Sequence, residues 1–478
     1  MRRARVAVLA PYWDFFATSA RGDLATDRAA LLRDIRTGLA AHADVVIATT
    51  IDPDVPVAAT IEAVRGARPD LLVLAATMAS PPAAALRVVD AFPELPVVLW
   101  AARRGRAMAE PYTHQDITVD GATVGAPQLA SLLARASRPF DVVMAALDDP
   151  DGLSRVHDAV RSAAAAVLLR TARIGRVGGS LPGYTCVDAD APRLADEVGA
   201  RVIEVPAAEF LARYQAVDAA VVERTWAETR HLYHPTTALP GWKAGAAPAA
   251  EVGEPVAGQV ADAVRAAVAL RELGEAHRLD AGAFNCHVPQ IRRGPAIGYA
   301  PCFALGHCTS LGVPWTCTGD VVTAIAMLTA KALSGAALYH ELEALDPDSG
   351  EFVIANSGEH DLAFGPGPAE LRTNPWWPTG LCAVLTPRPG PATLIGFAQL
   401  DPPGGHRLIA ARGRFTARKF PGVGTSNAAF AFDRTPPEHA WEAWCRSGVN
   451  HHAAATPGDH AEHVQRVAGH LKLPAIVI

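Results

Sequence analysis

The sequence predicts an α/β protein with two doubly wound, Rossmann-like parallel-sheet domains, followed by a C-terminal antiparallel, β-barrel-like domain. Three observations lead to this prediction. Apolar runs alternate with Ala-rich runs over the first 150 residues, the alternation resumes after a helical stretch near 151, and alternating strands with Gly and Pro turns follow 331. The chain has 478 residues, more than one ordinary core holds. We therefore expect domains at 1–150, 151–330 and 331–478.

The first domain is predicted from short apolar runs that lie between helical stretches, the pattern of strands buried on both faces. The predicted strands are 6–10, 44–50, 70–77, 96–100 and 140–147, and the predicted helices are 24–41, 57–67, 82–92 and 125–136. No GxGxxG follows the first strand, so a dinucleotide site is not predicted. Ligands of such sheets bind at the carboxyl ends of the strands, where "PYWDFF" and "EPYTHQD" lie.

The second domain is predicted from strands at 172–179 and 200–206 and from helices at 151–168 and 257–275. The Pro- and Gly-rich stretch 239–255 is expected to be a surface loop. Residues 281–317 combine His, Cys, Asn and Gly with little periodicity, which is typical of active-site loops.

The third domain begins after a nearly uniformly apolar helix at 320–333. Alternating runs then predict strands, and a last helix precedes a pair of histidines. The predicted strands are 337–345, 351–358, 392–400, 406–420 and 428–433, and the helix is 436–446.

Composition narrows the classes of partner. The net charge is −6 and no basic run occurs, so neither nucleic acid nor an anionic membrane surface is an expected partner. The apolar run near the N-terminus is short for an export signal, and no run reaches the roughly 18 apolar residues of a membrane span. The seven cysteines show no CxxC pairs, which favours free thiols in a reducing cytoplasm. We expect a cytoplasmic protein that binds a small molecule.

Acids and imidazoles stand at the ends of predicted elements in the last third of the chain. They are Asp320 at a helix start, Glu341 in a strand, Glu359 with His360 after a strand, and His451 with His452 after a helix. Mixed carboxylate and imidazole ligands suit hard to borderline divalent ions such as Mn²⁺. The arrangement permits one metal site, and for each imidazole a surface or capping role is the alternative.

The segments "GVPWTCTGDVVTAIAMLTAKALSGAALYHELEALD", "EFVIANSGEHDLAF" and "GVNHHAAA" resemble the metal-binding half of the L-fucose isomerase and L-arabinose isomerase superfamily, most clearly over 280–460. The resemblance implies a Mn²⁺-dependent aldose–ketose isomerase. It places metal ligands at Glu341, at His360 and at one member of the pair His451 and His452. Which member of the pair binds the metal stays open. It also implies a homo-oligomer, commonly a trimer or hexamer.

Thr318 departs from the family, which has a glutamate at that position. In the family reaction, two carboxylates move a proton between C1 and C2 of an open-chain aldose through an enediol, while the metal polarises the carbonyl. Glu341 is one expected base. The second is Asp320 or Glu359, and Asp320 is more often expected as a helix cap than as a base.

Further polar residues are candidates for sugar contacts. They are Trp13, Asp14, His114, Gln115, Asn285, His287 and Thr318. Two alternatives stand beside these sugar contacts. Trp13 could instead pack in a core, and Cys286 or Cys308 could be a catalytic thiol. A noncatalytic sugar-binding or regulatory protein, and a metal-dependent epimerase or isomerase of an unusual sugar, stand as alternative functions because of Thr318.

Overall fold

The structure is a computed structural model that describes residues 3–20, 22–235 and 257–478. The predicted loop at 239–255 lies outside these residues. The strands are β1 Arg5–Pro11, β2 Asp44–Ile51, β3 Leu71–Ala76, β4 Val97–Arg103, β5 Phe140–Ala146, β6 Arg173–Val177, β7 Arg201–Val205, β8 Tyr233–Pro235, β9 Ala281–Phe284, β10 Trp315–Thr316, β11 Leu338–Asp346, β12 Glu351–Ala355, β13 Ala369–Thr373, β14 Leu381–Val384, β15 Gly390–Gln399, β16 His406–Phe415, β17 Asn427–Phe432, β18 His452–Pro457 and β19 Ala475–Val477.

The α-helices of the same residues follow in chain order. They are α1 Leu24–Ala40, α2 Ala58–Ala67, α3 Ala83–Asp90, α4 His114–Val119, α5 Ala122–Arg135, α6 Pro150–Thr171, α7 Ala191–Glu197, α8 Ala207–Ala216, α9 Ala219–Thr229, α10 Ala257–His277, α11 Pro289–Arg292, α12 Cys302–Ser310, α13 Val321–Ser334, α14 Pro437–Arg446 and α15 Ala461–Leu471. Within the described part of the chain, no helix is both long enough and apolar enough to cross a bilayer.

The chain forms two compact units. The first holds Met1–Leu168 with Arg466–Lys472, and the second holds Leu169–Gln465 with Leu473–Ile478. The two units do not test the expected boundaries of three domains, and those boundaries stay a prediction.

The first unit is built on a five-stranded parallel sheet with the order β2-β1-β3-β4-β5. Successive residues of β1 face opposite cores: Val6 and Val8 pack on one side, and Ala7 and Leu9 pack on the other. This alternation follows from the two-residue period of a strand. The predicted parallel sheet, covered on both faces, is therefore confirmed here.

The second unit contains a four-stranded parallel sheet with the order β10-β9-β6-β7. The expectation of loops over 281–317 is wrong in part, because β9, α11, α12 and β10 lie there. Eight of the nine residues of α12 are buried. A helix that is apolar all round has no polar face, so its sequence shows no amphipathic period.

A mixed seven-stranded sheet follows, with the order β15-β18-β11-β12-β17-β16-β19. Strand β15 also pairs with β16 over its full length, whereas β16 and β17 pair over only three residues, Gly413 to Phe415. The ring of strands is uneven, so barrel-like closure stays a prediction. A three-stranded sheet, β14-β13-β8, completes the unit.

Candidate metal centre

Two of the predicted site residues are brought together by strand register. Strands β11 and β18 are antiparallel neighbours, and Glu341 stands directly opposite His452. Directly opposed residues share a face of the sheet and lie close enough for their side chains to interact. Accordingly, Nε2 of His452 lies 3.1 Å from Oε1 of Glu341.

The buried imidazole of His452 is held between two carboxylates. Its Nδ1 lies 2.8 Å from Oδ2 of Asp320, on the side opposite Glu341. Burial alone would lower the pKa of His452, but the hydrogen bonds to Asp320 and Glu341 outweigh it and raise that pKa to about 9. The same hydrogen bonds fix the orientation of the ring.

Asp320 has the role of a helix cap. It is the N-cap of α13, and its Oδ1 accepts a hydrogen bond from the backbone N–H of Thr323 at 2.8 Å. Its Oδ2 accepts from His452 and, at 3.3 Å, from Nδ2 of Asn450. Both oxygens are therefore engaged, and the cap also positions the imidazole.

Asn450 is a residue that sequence reasoning missed. Its Oδ1 accepts the backbone N–H of His452, while its Nδ2 donates to Asp320. It thereby joins the start of β18 to the start of α13. The signal available in the sequence was its place directly before the histidine pair.

His451 completes a cluster of possible metal ligands. Its ring lies over that of His452, with the centroids 3.7 Å apart. Among the described residues, one ligand atom from each of Glu341, His451 and His452 lies within 4.8 Å of the others. Both histidines therefore belong to the cluster, while His451 is exposed and His452 is buried.

Glu359 is a buried carboxyl whose two oxygens have no hydrogen-bond partner within the described chain. Burial raises its pKa to about 7, and the charges of Cys286, His452 and Glu341 also act on it. Tyr339, another residue missed from the sequence, is buried and likewise leaves its hydroxyl without a partner there. Unpaired buried polar atoms are costly, so such a group commonly marks a place for a water, an ion or a substrate.

His360 does not join the cluster, contrary to its expected role as a ligand. Its Nε2 lies 3.3 Å from the hydroxyl of Tyr233, which also lies 2.8 Å from Nδ1 of His307. The residue before Glu359 is Gly358, with φ at +135°, and the chain turns there after β12. As a result His360 packs against Gly306 of α12, and burial lowers its pKa to about 3.

Thr318 occupies the loop between β10 and α13 in a left-handed conformation, with φ at +57°. Its hydroxyl donates to the carbonyl of Cys317 at 2.7 Å. Asn285 and His287 bond within their own loop: Oδ1 of Asn285 accepts the N–H of His287 at 3.1 Å, and the ring of His287 contacts Arg292.

The remaining candidates belong to the first unit. Trp13 and Asp14 follow β1, where Asp14 accepts a hydrogen bond from Tyr12 at 2.7 Å and Trp13 stacks on Phe15 at 4.5 Å. His114 and Gln115 begin α4. Their role in binding a sugar stays a prediction.

The three clustered side chains fit a divalent cation by their chemistry. One carboxylate and two imidazoles form a ligand set that Mn²⁺, Fe²⁺, Co²⁺ or Zn²⁺ accepts. Ligand atoms about 2.1 Å from one ion lie about 3 Å apart, close to the separation between Glu341 and His452. Comparison of the sequence with protein-family models and with curated proteins finds no match, so family membership stays a prediction.

Proposed function

We propose that this chain is a divalent-metal-dependent aldose–ketose isomerase of the L-fucose and L-arabinose isomerase type, with Mn²⁺ as its cation. The observation that carries the proposal is the cluster of Glu341, His451 and His452, in which His452 is fixed between two carboxylates. A bound cation would polarise the carbonyl and hydroxyl oxygens of an open-chain sugar. The resemblance of the sequence motifs adds to this support.

Two carboxylates of the site are candidates to move a proton between C1 and C2 of the sugar. Glu341 reaches the cluster from β11, and Glu359 is buried with both oxygens unpaired within the described residues. Asp320 is a weaker candidate, because both of its oxygens already accept hydrogen bonds. Glu359 is therefore the second base in this proposal and replaces the family glutamate that is absent at Thr318.

The same resemblance supports a cytoplasmic homo-oligomer, a trimer or a hexamer, that acts on a pentose, a 6-deoxyhexose or a modified sugar.

One observation favours a second candidate, a noncatalytic sugar-binding homologue. The hydroxyl of Thr318 is bonded to the carbonyl of Cys317 and supplies no carboxylate. Two acidic ligands neutralise a dication better than one, so this site has less negative charge than the family arrangement. The noncatalytic protein would bind sugar without converting it.

A metal titration followed by an aldose panel tests the proposal. Protein stripped with EDTA should bind about one Mn²⁺ per chain by calorimetry, and Glu341→Gln and His452→Gln should each weaken that binding at least tenfold. His340→Gln is the matched control, because His340 lies on β11 next to Glu341 but pairs with Ala453 and faces the other side of the sheet.

Pentoses and 6-deoxyhexoses are then incubated with and without Mn²⁺. Metal-dependent ketose formation supports the isomerase. Binding of Mn²⁺ and sugar without turnover favours the noncatalytic homologue, and absence of Mn²⁺ binding by the wild-type chain contradicts the proposal.

A further inference from the structure

The loops after β9 and β10 bring two buried cysteines together, next to the proposed metal centre but outside it. The two strands are parallel neighbours, with Thr316 opposite Ala283. Cys317 directly follows β10, and Cys286 lies two residues beyond the end of β9. The backbone ties these loops together, because the N–H of Gly319 donates to the carbonyl of Phe284 at 3.2 Å.

The Cys286 sulfur has hydrogen-bonding contacts that suit a thiolate. It contacts the side chains of Cys317 and His287 and the backbone N–H of Thr318. The Cys317 hydrogen bond, followed by those of His287 and Thr318, outweighs burial and lowers the pKa of Cys286. The same contact raises the pKa of Cys317, and burial raises it further.

Cys308 is a buried thiol whose surroundings do not favour a thiolate. Its sulfur donates to the carbonyl of Ala267 at 3.6 Å, and burial raises its pKa to about 12. Of the two cysteines considered from the sequence as reactive, the surroundings therefore favour Cys286.

We propose that Cys286 and Cys317 are an oxidation site, in which a hydroperoxide converts the two thiols into a disulfide. The Cys286 thiolate attacks the peroxide oxygen, the O–O bond breaks, and the leaving oxygen takes up a proton to give water or an alcohol. Sulfur is oxidised to the sulfenic acid and the peroxide is reduced. The Cys317 sulfur then attacks the Cys286 sulfur, loses its proton, and releases water as the S–S bond forms.

The oxidised loop adjoins the residue that orients His452. The carbonyl of Cys317 accepts hydrogen bonds from the Thr318 hydroxyl at 2.7 Å and from the backbone N–H of Asp320 at 3.1 Å. A new bond at Cys317 pulls on this turn and so on Asp320. Disulfide formation therefore weakens metal binding, a consequence that rests on the proposed function.

The test treats the reduced, full-length protein with hydrogen peroxide, blocks remaining thiols with iodoacetamide, and maps the digest by mass spectrometry without reduction. Wild type and Cys308→Ser should give a peptide linked through Cys286 and Cys317. Cys317→Ser should leave Cys286 as a sulfenic acid that dimedone labels, and Cys286→Ser should leave Cys317 unmodified. Absence of the linked peptide in wild type, or linkage through other cysteines, overturns the oxidation site.

Mn²⁺ affinity is then measured for the oxidised and the reduced protein. A loss of about tenfold on oxidation that dithiothreitol reverses supports the coupling, and equal affinities of the two forms overturn it. If neither form binds Mn²⁺, the proposed function fails, while the peptide map still decides the oxidation site.

Discussion

His452 has its ring orientation set by neighbours from two other elements. Asp320 contacts one ring nitrogen and Glu341 contacts the other, at 2.8 and 3.1 Å. Such partners commonly raise the affinity of an imidazole for a metal, because they orient the ring before the ion arrives. Asp320 thus serves the helix and the site with its two oxygens.

Asp320→Asn separates these two roles. Asparagine still caps a helix, but its amide nitrogen cannot accept a hydrogen bond from His452. We expect Mn²⁺ affinity to fall about 10- to 100-fold by calorimetry. Asp190→Asn is the matched control, because Asp190 caps α7 and accepts from the N–H of Arg193 at 3.1 Å. Unchanged affinity in Asp320→Asn would show that the carboxylate does not support the site.

Glu359 gives a prediction for the metal-free protein. Burial raises its pKa from 4.5 to about 7, so the folded chain holds this proton more tightly than the unfolded chain. Its contribution to the free energy of unfolding is complete below about pH 4.5 and is lost as the pH rises to 7. Relative to Glu359→Gln, the wild type should lose roughly 3 kcal/mol over this interval.

Urea unfolding at several pH values measures this difference. Glu438→Gln, an exposed change in the first turn of α14, is the control and should follow the wild-type curve. Parallel curves for wild type and Glu359→Gln would mean that the carboxyl is solvated or paired in the folded chain.

At the scale of elements, the sequence predicts those helices and strands that have a clear hydrophobic pattern. The five strands of the first unit and helix α13 follow from apolar runs and from the cap at Asp320. Helix α12 did not follow, because almost every side chain in it is buried. Strand β18 was missed because His452 begins it six residues after α14 ends, and a short Ala-rich run carries no strand signal of its own.

The candidate site, like the elements, could be predicted only in part. Glu341 and the histidine pair could be named from their motifs, yet only the register of β11 against β18 shows that His452 stands opposite Glu341, and His451 joins the cluster from the position before the strand. The placing of His360 could not be predicted from its motif, because tertiary contacts put its Nε2 against the hydroxyl of Tyr233 and outside the cluster. Which of two adjacent loop residues faces a site depends on tertiary contacts, and a sequence motif does not contain these contacts.

Helix α12 yields a stability prediction through its contact with His360. A Cβ added at Gly306 would lie 2.2 Å from Nδ1 of His360 and 2.4 Å from its backbone nitrogen. Gly306→Ala should therefore lower the free energy of unfolding by about 1–3 kcal/mol in urea. Gly274→Ala, in α10 with no atom within 4 Å, should raise it by about 0.5–1 kcal/mol. Equal stability of Gly306→Ala and wild type would indicate that His360 does not pack there.

At the scale of the whole molecule, the chain combines two parallel sheets with a mixed sheet, and all three clustered ligands come from the second unit. Strand β11 supplies the carboxylate, His452 begins β18, and His451 directly precedes that strand. The centre therefore depends on strand pairing within one unit, which favours a site that is formed before any ion binds.

Anomalous diffraction from crystals soaked in Mn²⁺ tests the central claim most directly. The account predicts one strong peak at about 2.0–2.3 Å from a carboxylate oxygen of Glu341 and from one nitrogen each of His451 and His452. Well-ordered crystals with no peak at these residues, or with the ion bound elsewhere, would contradict it.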